Sequence, residues 1–307
     1  MNTRSPHQRP GSATVLALVV AVLAVTSSAP LIAFAAAPAL AIAFYRNGIA
    51  TVVLTPITLG PRRGELRRVV RRRDGLFCVL AGVALAAHFA TWMSAVKIGS
   101  VATATALVAT QPVWQGLIAA AQGRRPSAAG WLGIGLAVAG TAWATGVDVS
   151  VSGRAVLADV LALLGAVAVA IYTALGERAR TELSTTTYTW ICYGTCAVVL
   201  LVVCLVGRVS LGGYNSHTWL AILAIVAGAQ LLGHSMFNYA LQHTSATTVS
   251  VLALLEVPGA TLIAWVWLGQ QPRLAALPGL ALLLIGVAVV VLGARADRSV
   301  PAVTPAP

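Results

Sequence analysis

The sequence predicts an all-α polytopic membrane protein: ten transmembrane helices arranged as two inverted five-helix repeats. Three observations carry this expectation. Of the 307 residues, 58% are hydrophobic and only 9% are charged, with a mean hydropathy of +0.87. A soluble domain carries about a quarter charged residues, so this chain cannot cover a water-facing surface. Apolar stretches of about 20 residues, each long enough to cross roughly 30 Å of hydrocarbon, recur from end to end. Finally, the chain repeats itself at a fixed offset of 146 residues.

The spans follow in order. The first, 13–33, sits between Arg4 and Arg9 on one side and Ala35-Ala36-Ala37 on the other. That arrangement resembles a signal peptide. The apolar run is longer than a usual signal core, and the repeat requires this helix, so it reads as a retained span. The next four are 38–58, 75–95, 99–120 and 128–146. The second half supplies 155–175, 186–207, 218–240, 245–268 and 275–293. The chain thus divides into a tail (1–12), a first repeat (13–146), a linker (147–154), a second repeat (155–293) and a second tail (294–307). No stretch remains for a separate soluble domain.

Charge orients the bundle. Of the 20 lysines and arginines, 15 fall in segments on one side, four on the other, and Arg46 lies within a span. This is the positive-inside bias, and it predicts both termini in the cytoplasm of a cell (plasma or inner) membrane protein. The same bias accounts for the net charge of +12, including the stretch "GPRRGELRRVVRRRDG" (60–75). No nucleic-acid partner is implied. The partners expected are the lipid bilayer and a small-molecule substrate.

The repeat rests on punctuation residues. With His88 over His234, Pro112 falls on Pro258, Gly123 on Gly269 and Pro126 on Pro272. Gly133, Leu136 and Gly140 fall on Gly279, Leu282 and Gly286. Glycine and proline set backbone geometry, so their agreement outweighs the low identity. A unit of five helices is odd, and its second copy enters the membrane from the opposite face. Inverted repeats of this kind are typical of secondary transporters, with the site near the midplane.

The chain also resembles a known family. "AFYRNGIATVVLTP" (43–56), "HFATWMSAVKIGSVATATALVATQPVWQGLIAA" (88–120) and "ALQHTSATTVSVLALLEVPGATLIAWVWLGQQP" (240–272) are similar to the EamA family of the drug/metabolite transporter superfamily. The resemblance covers both halves. It implies a ten-helix transporter that exports amino acids or other small metabolites by alternating access. It departs at one place in each half: Gly123-Arg124 and Gly269-Gln270 stand where the family often has Gly-Glu. Gating contacts at the helix ends are expected to differ accordingly.

The candidate site residues are polar groups in apolar surroundings. Glu256 lies about ten residues into its span, roughly 15 Å deep. A carboxylate there should face a cavity or a partner. Pro258 lacks an amide hydrogen and leaves a backbone carbonyl unsatisfied beside it. A substrate ammonium or a proton fits this pair; a structural ion pair is the alternative. Thr110 aligns with Glu256, followed by Gln111 and Pro112. Arg46 is expected to grip a substrate carboxylate, to serve as counter-ion to Glu256, or to reach the outer interface by snorkelling. His88 and His234 are candidates for gating or proton relay, together with the helix-breaking Pro112 and Pro258. Inversion is expected to place the two histidines near opposite faces. Trp92, Trp114, Tyr172, Phe237 and Tyr239 are candidate lining aromatics, about half of which should sit at the interface instead. Asn238 falls one turn after His234.

No cofactor or metal is implied. Cys78, Cys192, Cys196 and Cys204 all fall in spans and read as small packing residues. The chain has no H-E-x-x-H and no G-x-S-x-G, so it reads as no enzyme; an intramembrane lipid-modifying enzyme would need such a constellation. A channel or uncoupled facilitator is the other alternative to a transporter. Glycines at seven-residue spacing, Gly133 and Gly140 and then Gly279, Gly286 and Gly293, allow close helix approach. They suit a homodimer through helices 5 and 10, or packing within one chain.

Overall fold

The computed structural model describes residues 11–70, 73–99, 104, 107–124, 126–145, 153–181, 183–268 and 274–296. The linker, both tails and the Gly269–Gln270 place lie largely or wholly outside these. Every regular element among the described residues is helical. In chain order they are α1 (Ser12–Val25), α2 (Ser28–Phe34), α3 (Ala39–Leu59), α4 (Arg63–Val70) and α5 (Arg73–Ile98), then α6 (Gln111–Ala121) and α7 (Ala128–Thr145). The second half follows with α8 (Gly153–Ala179), α9 (Thr185–Val206), α10 (Ser216–Ile225), α11 (Ser235–Ala240), α12 (Ala246–Ala253), α13 (Glu256–Leu268) and α14 (Leu277–Ala296).

Seven helical segments are long and apolar enough to span a bilayer: Ser12–Phe34, Ala39–Leu59, Gly75–Ile98, Gly153–Ala179, Thr185–Val206, Ser216–Ala240 and Leu274–Leu292. The fifth expected span appears as the shorter helix Ala128–Thr145. The fourth and ninth are interrupted. Their outward faces are apolar, as Leu16, Val52, Val198 and Val266 illustrate, because hydrocarbon rather than water covers them.

Contacts follow the repeat. α5 packs on α8, and the equivalent pair is α1 with the segment 226–234; α6 packs on α8 as α13 packs on α1. The glycine stripes join α7 to α14 within the chain. A Cβ on Gly140 would stand 2.3 Å from the Leu283 amide nitrogen, and one on Gly286 would stand 2.3 Å from that of Ala137. These glycines are therefore buried against each other inside one protomer. A homodimer through the same helices has to use their remaining faces. All four cysteines are buried.

Four interruptions shape the interior. The first span breaks at Thr26 and Ser27, whose hydroxyls bond the carbonyls of Leu23 and Ala24 at 2.6 and 2.9 Å. The ninth breaks between α12 and α13. There the amides of Leu254, Leu255 and Val257 turn to the carbonyl three residues back, a tightening that Pro258 enforces by removing the next donor. Thr110 and Val113 make the same three-residue bonds around Pro112. The eighth span widens over Val226–His234 into a π-helical segment, which rotates Gln230 into the bundle.

Candidate functional site

A cavity of about 110 Å³ lies where the broken helices meet. One buried water needs about 10–15 Å³ on this measure, so the space holds several waters or one small molecule. Its wall includes Ser28, His88, Trp92, Gln111, Tyr172, Thr173, His234, Phe237, Asn238 and Glu256. Glu256 is its one acidic residue and the first residue of α13. The helix dipole there favours a negative charge. The ion pairs among the described residues are Arg62–Glu65 and Arg124–Glu177, so Glu256 is not ion-paired with Arg46.

Arg46 is fully buried behind this wall. Its Nε donates to Gln230 Oε1 at 2.8 Å, and Gln230 Nε2 in turn donates to Asn47 Oδ1 at 3.0 Å. The guanidinium lies over the Phe89 ring, 4.1 Å from its centroid. Its two terminal nitrogens bond no described atom. Phe89 separates this cation from the cavity side, where His234 meets the Phe89 ring edge-on at 5.4 Å.

His88 and His234 share the cavity, which corrects the expectation that they lie at opposite faces. α5 continues ten residues past His88, to Ile98, so His88 is nearer mid-depth than the apolar run indicated. The cavity reaches from that level to His234. His88 Nδ1 stands 2.9 Å from the Gly165 carbonyl. A carbonyl only accepts, so Nδ1 carries the hydrogen, and Nε2 of the neutral ring is an acceptor. The ring stacks on Trp92, 5.6 Å between centroids and 5° between planes.

Tyr172 accepts a hydrogen bond from Asn238 Nδ2 at 2.6 Å, which leaves its own O–H free to donate. Gln111 Nε2 donates to Thr173 Oγ1 at 3.3 Å. Thr110 is not on the wall: it bonds the Leu107 carbonyl at 2.6 Å and accepts from Trp114 Nε1 at 3.2 Å. Of the five aromatics singled out, Trp92, Tyr172 and Phe237 line the cavity, whereas Trp114 and Tyr239 do not. Gln230 and Phe89 were not among the candidates. A lone glutamine in the apolar run "VAGAQLLGH" was the available signal for the first; nothing local marks the second.

At the arginine-rich end, polar clamps join the two halves. After α6, the Gly123 backbone turns left-handed with φ +79°. The Arg124 amide then bonds the Ala119 carbonyl at 2.9 Å, closing the helix end and fixing the direction of Arg124. Arg124 meets Glu177 with two parallel bonds of 2.9 Å, and Glu177 also accepts the Ala246 amide at 3.3 Å. The hydrogen bond to Glu177 raises the Arg124 pKa. The second clamp is Glu65, which accepts from the Ser184 amide, the Ser184 hydroxyl and the Thr187 hydroxyl at 2.6, 2.7 and 2.8 Å. Burial opposes its ionisation, but these donors outweigh burial and hold its carboxyl below the usual range. Arg180, fully buried, ties α8 to α11 through the Asn238 carbonyl and to Gln242 at 2.9 Å each.

Comparison with known proteins agrees with this architecture. A crystal structure of 22% sequence identity aligns with a TM-score of 0.77, covering 95% of this chain and all of the other; the likeness is one of fold. No curated protein sequence matches. The EamA-like transporter family matches twice, over residues 12–146 and 156–292. Two matched units, together spanning nearly the whole chain, place this membrane protein in the EamA-like transporter family.

Proposed function

We propose that the protein is a secondary active transporter that exports amino acids or other small metabolites by alternating access, with a proton taken up and released at Glu256. The observation that carries this reading is a carboxylate, in no ion pair among the described residues, on the wall of a small cavity where two proline-broken helices meet. Broken helices offer backbone polar groups to a ligand at mid-membrane. The substrate ammonium meets Glu256 and His88 Nε2. Its body lies among Trp92, Tyr172, Phe237 and Asn238. A substrate carboxylate reaches the free guanidinium nitrogens of Arg46 when Phe89 turns aside. His234, next to Phe89, acts with it as the gate, and Pro112 and Pro258 supply the hinges.

The clamps at Glu177 and Glu65 close the arginine-rich end, which by the charge bias faces the cytoplasm of a plasma or inner membrane. On this reading the cavity is closed toward the cytoplasm, and opening requires both clamps to part. The test is a thermal-stability screen of the purified protein with amino acids, nucleosides, sugars, polyamines and cationic drugs, alongside Glu256→Gln. A ligand of the native state raises apparent stability by mass action. A hit that is lost in the variant, followed by saturable counter-flow in liposomes, supports the reading. Flux that never saturates and shows no counter-flow refutes it in favour of a channel.

A further inference from the structure

We infer that α4 is a docking surface for the anionic headgroups of the surrounding bilayer, and that a bound headgroup strengthens the clamp made by Glu65. The inference stands apart from the transport reading and needs no substrate. α4 is a single polar helix of eight residues between two spans. Its two sides differ. Glu65 and Val69, one turn apart, face the protein, and Val69 is buried. Arg63, Arg67 and Arg68 are exposed on the other side.

Two features make this an anion surface rather than a solvated face. Glu65 is the sole acid between Gly60 and Val70. Its oxygens are occupied by Ser184 and Thr187, and its one ion pair is a 3.7 Å contact to Arg62. Among the described residues, Arg63, Arg67 and Arg68 are in no ion pair. Those same bonds set the height of the helix. Ser184 and Thr187 begin α9, a membrane span, so α4 is held at the membrane boundary. A helix at that boundary brings its arginines into reach of the headgroup phosphates, and charges within about one Debye length, roughly 10 Å, attract. All three are arginine, whose planar fork matches a phosphodiester with two parallel bonds. Because Glu65 and the arginines share one short helix, a headgroup that immobilises the arginines also holds Glu65 in register with the start of α9.

The full-length protein is placed in nanodiscs of neutral phosphatidylcholine, or of phosphatidylcholine with phosphatidylglycerol. Retained lipid is read by native mass spectrometry and stability by thermal melting. Wild type is expected to retain phosphatidylglycerol and to melt higher in its presence. The exposed triple variant Arg63→Gln, Arg67→Gln, Arg68→Gln should lose both effects. At about fivefold per arginine, its affinity for anionic lipid falls about a hundredfold. The matching triple lysine variant should keep most of the binding. Glu65→Gln should still retain the lipid but show no rise in melting temperature. Equal lipid retention by the triple glutamine variant would overturn the site. A rise with inorganic phosphate or a short DNA duplex in neutral discs, equal to that with the lipid, would overturn the lipid as its occupant. A lipid-dependent rise kept in Glu65→Gln would overturn the link to the clamp.

Discussion

Replacing Arg46 by methionine should stabilise the substrate-free protein while abolishing transport. Arg46 is 0% exposed and is held by one strong bond, Nε to Gln230, and by the Phe89 ring. Losing a hydrogen bond to a charged group costs about 1.5–3 kcal/mol, and losing the cation–π contact about 0.5–2 kcal/mol. Against this, Arg46→Met removes a buried charge whose desolvation penalty is several kcal/mol. It also removes two guanidinium nitrogens that bond no described atom, worth about 1–3 kcal/mol each. Methionine fills most of the same volume and packs flexibly on Phe89. The balance favours the variant by about 1–4 kcal/mol, the range found when buried ionic groups are replaced by apolar ones. Gln230→Leu has the opposite sign: the charge stays and its Nε partner goes, at a cost of about 3–5 kcal/mol. Thermal melting of both variants in one detergent, with counter-flow activity in liposomes, reads the two effects. Should Arg46→Met melt as far below wild type as Gln230→Leu, Arg46 is a structural strut and its role at the site is refuted.

Other outcomes follow from the clamps and the glycine contacts. Arg124→Gln should lower stability by about 0.5–1 kcal/mol, since the pair is half exposed on the arginine side; the exchange Arg124→Glu with Glu177→Arg should restore part of it in a double-mutant cycle. Glu65 has a depressed folded pKa, so its stabilisation is complete above the free glutamate value of about 4.3 and is lost as pH falls through the lower folded value. Wild type and Glu65→Gln should therefore differ in melting temperature at neutral pH and converge in acid, and a constant gap would contradict the clamp. Gly286→Ala places a Cβ against the Ala137 backbone at 2.3 Å, where no side chain can yield. Parting α7 from α14 should cost about 1–3 kcal/mol in thermal melting, whereas Gly135→Ala, with open space beside it, should be silent.

Glu256 and Arg46 could be picked out without coordinates because a charge in an apolar run is costly wherever that run lies. The same local reasoning located the breaks at Pro112 and Pro258, since proline removes a donor regardless of neighbours. Seven of the expected spans were legible for a related reason: each partitions into hydrocarbon on its own composition, so hydropathy alone places it within a few residues. Partners were not legible in this way. Arg46 bonds Gln230, 184 residues away, rather than Glu256, and a π-helical turn decides that choice by rotating Gln230 inward. His88 and His234 meet at one cavity because of helix crossing and length, which composition does not encode. The glycine stripes were compatible with two partners, another copy or the same chain, and only packing showed α7 against α14. Glu65 and Glu177, unremarkable in the polar stretches between expected spans, became clamps once the fold brought helix ends of the other segments beside them. Composition and periodicity thus determined which segments are apolar enough to span a membrane and where proline breaks them. Which polar group meets which was decided by the rotation and crossing of whole helices, a property of the packed bundle.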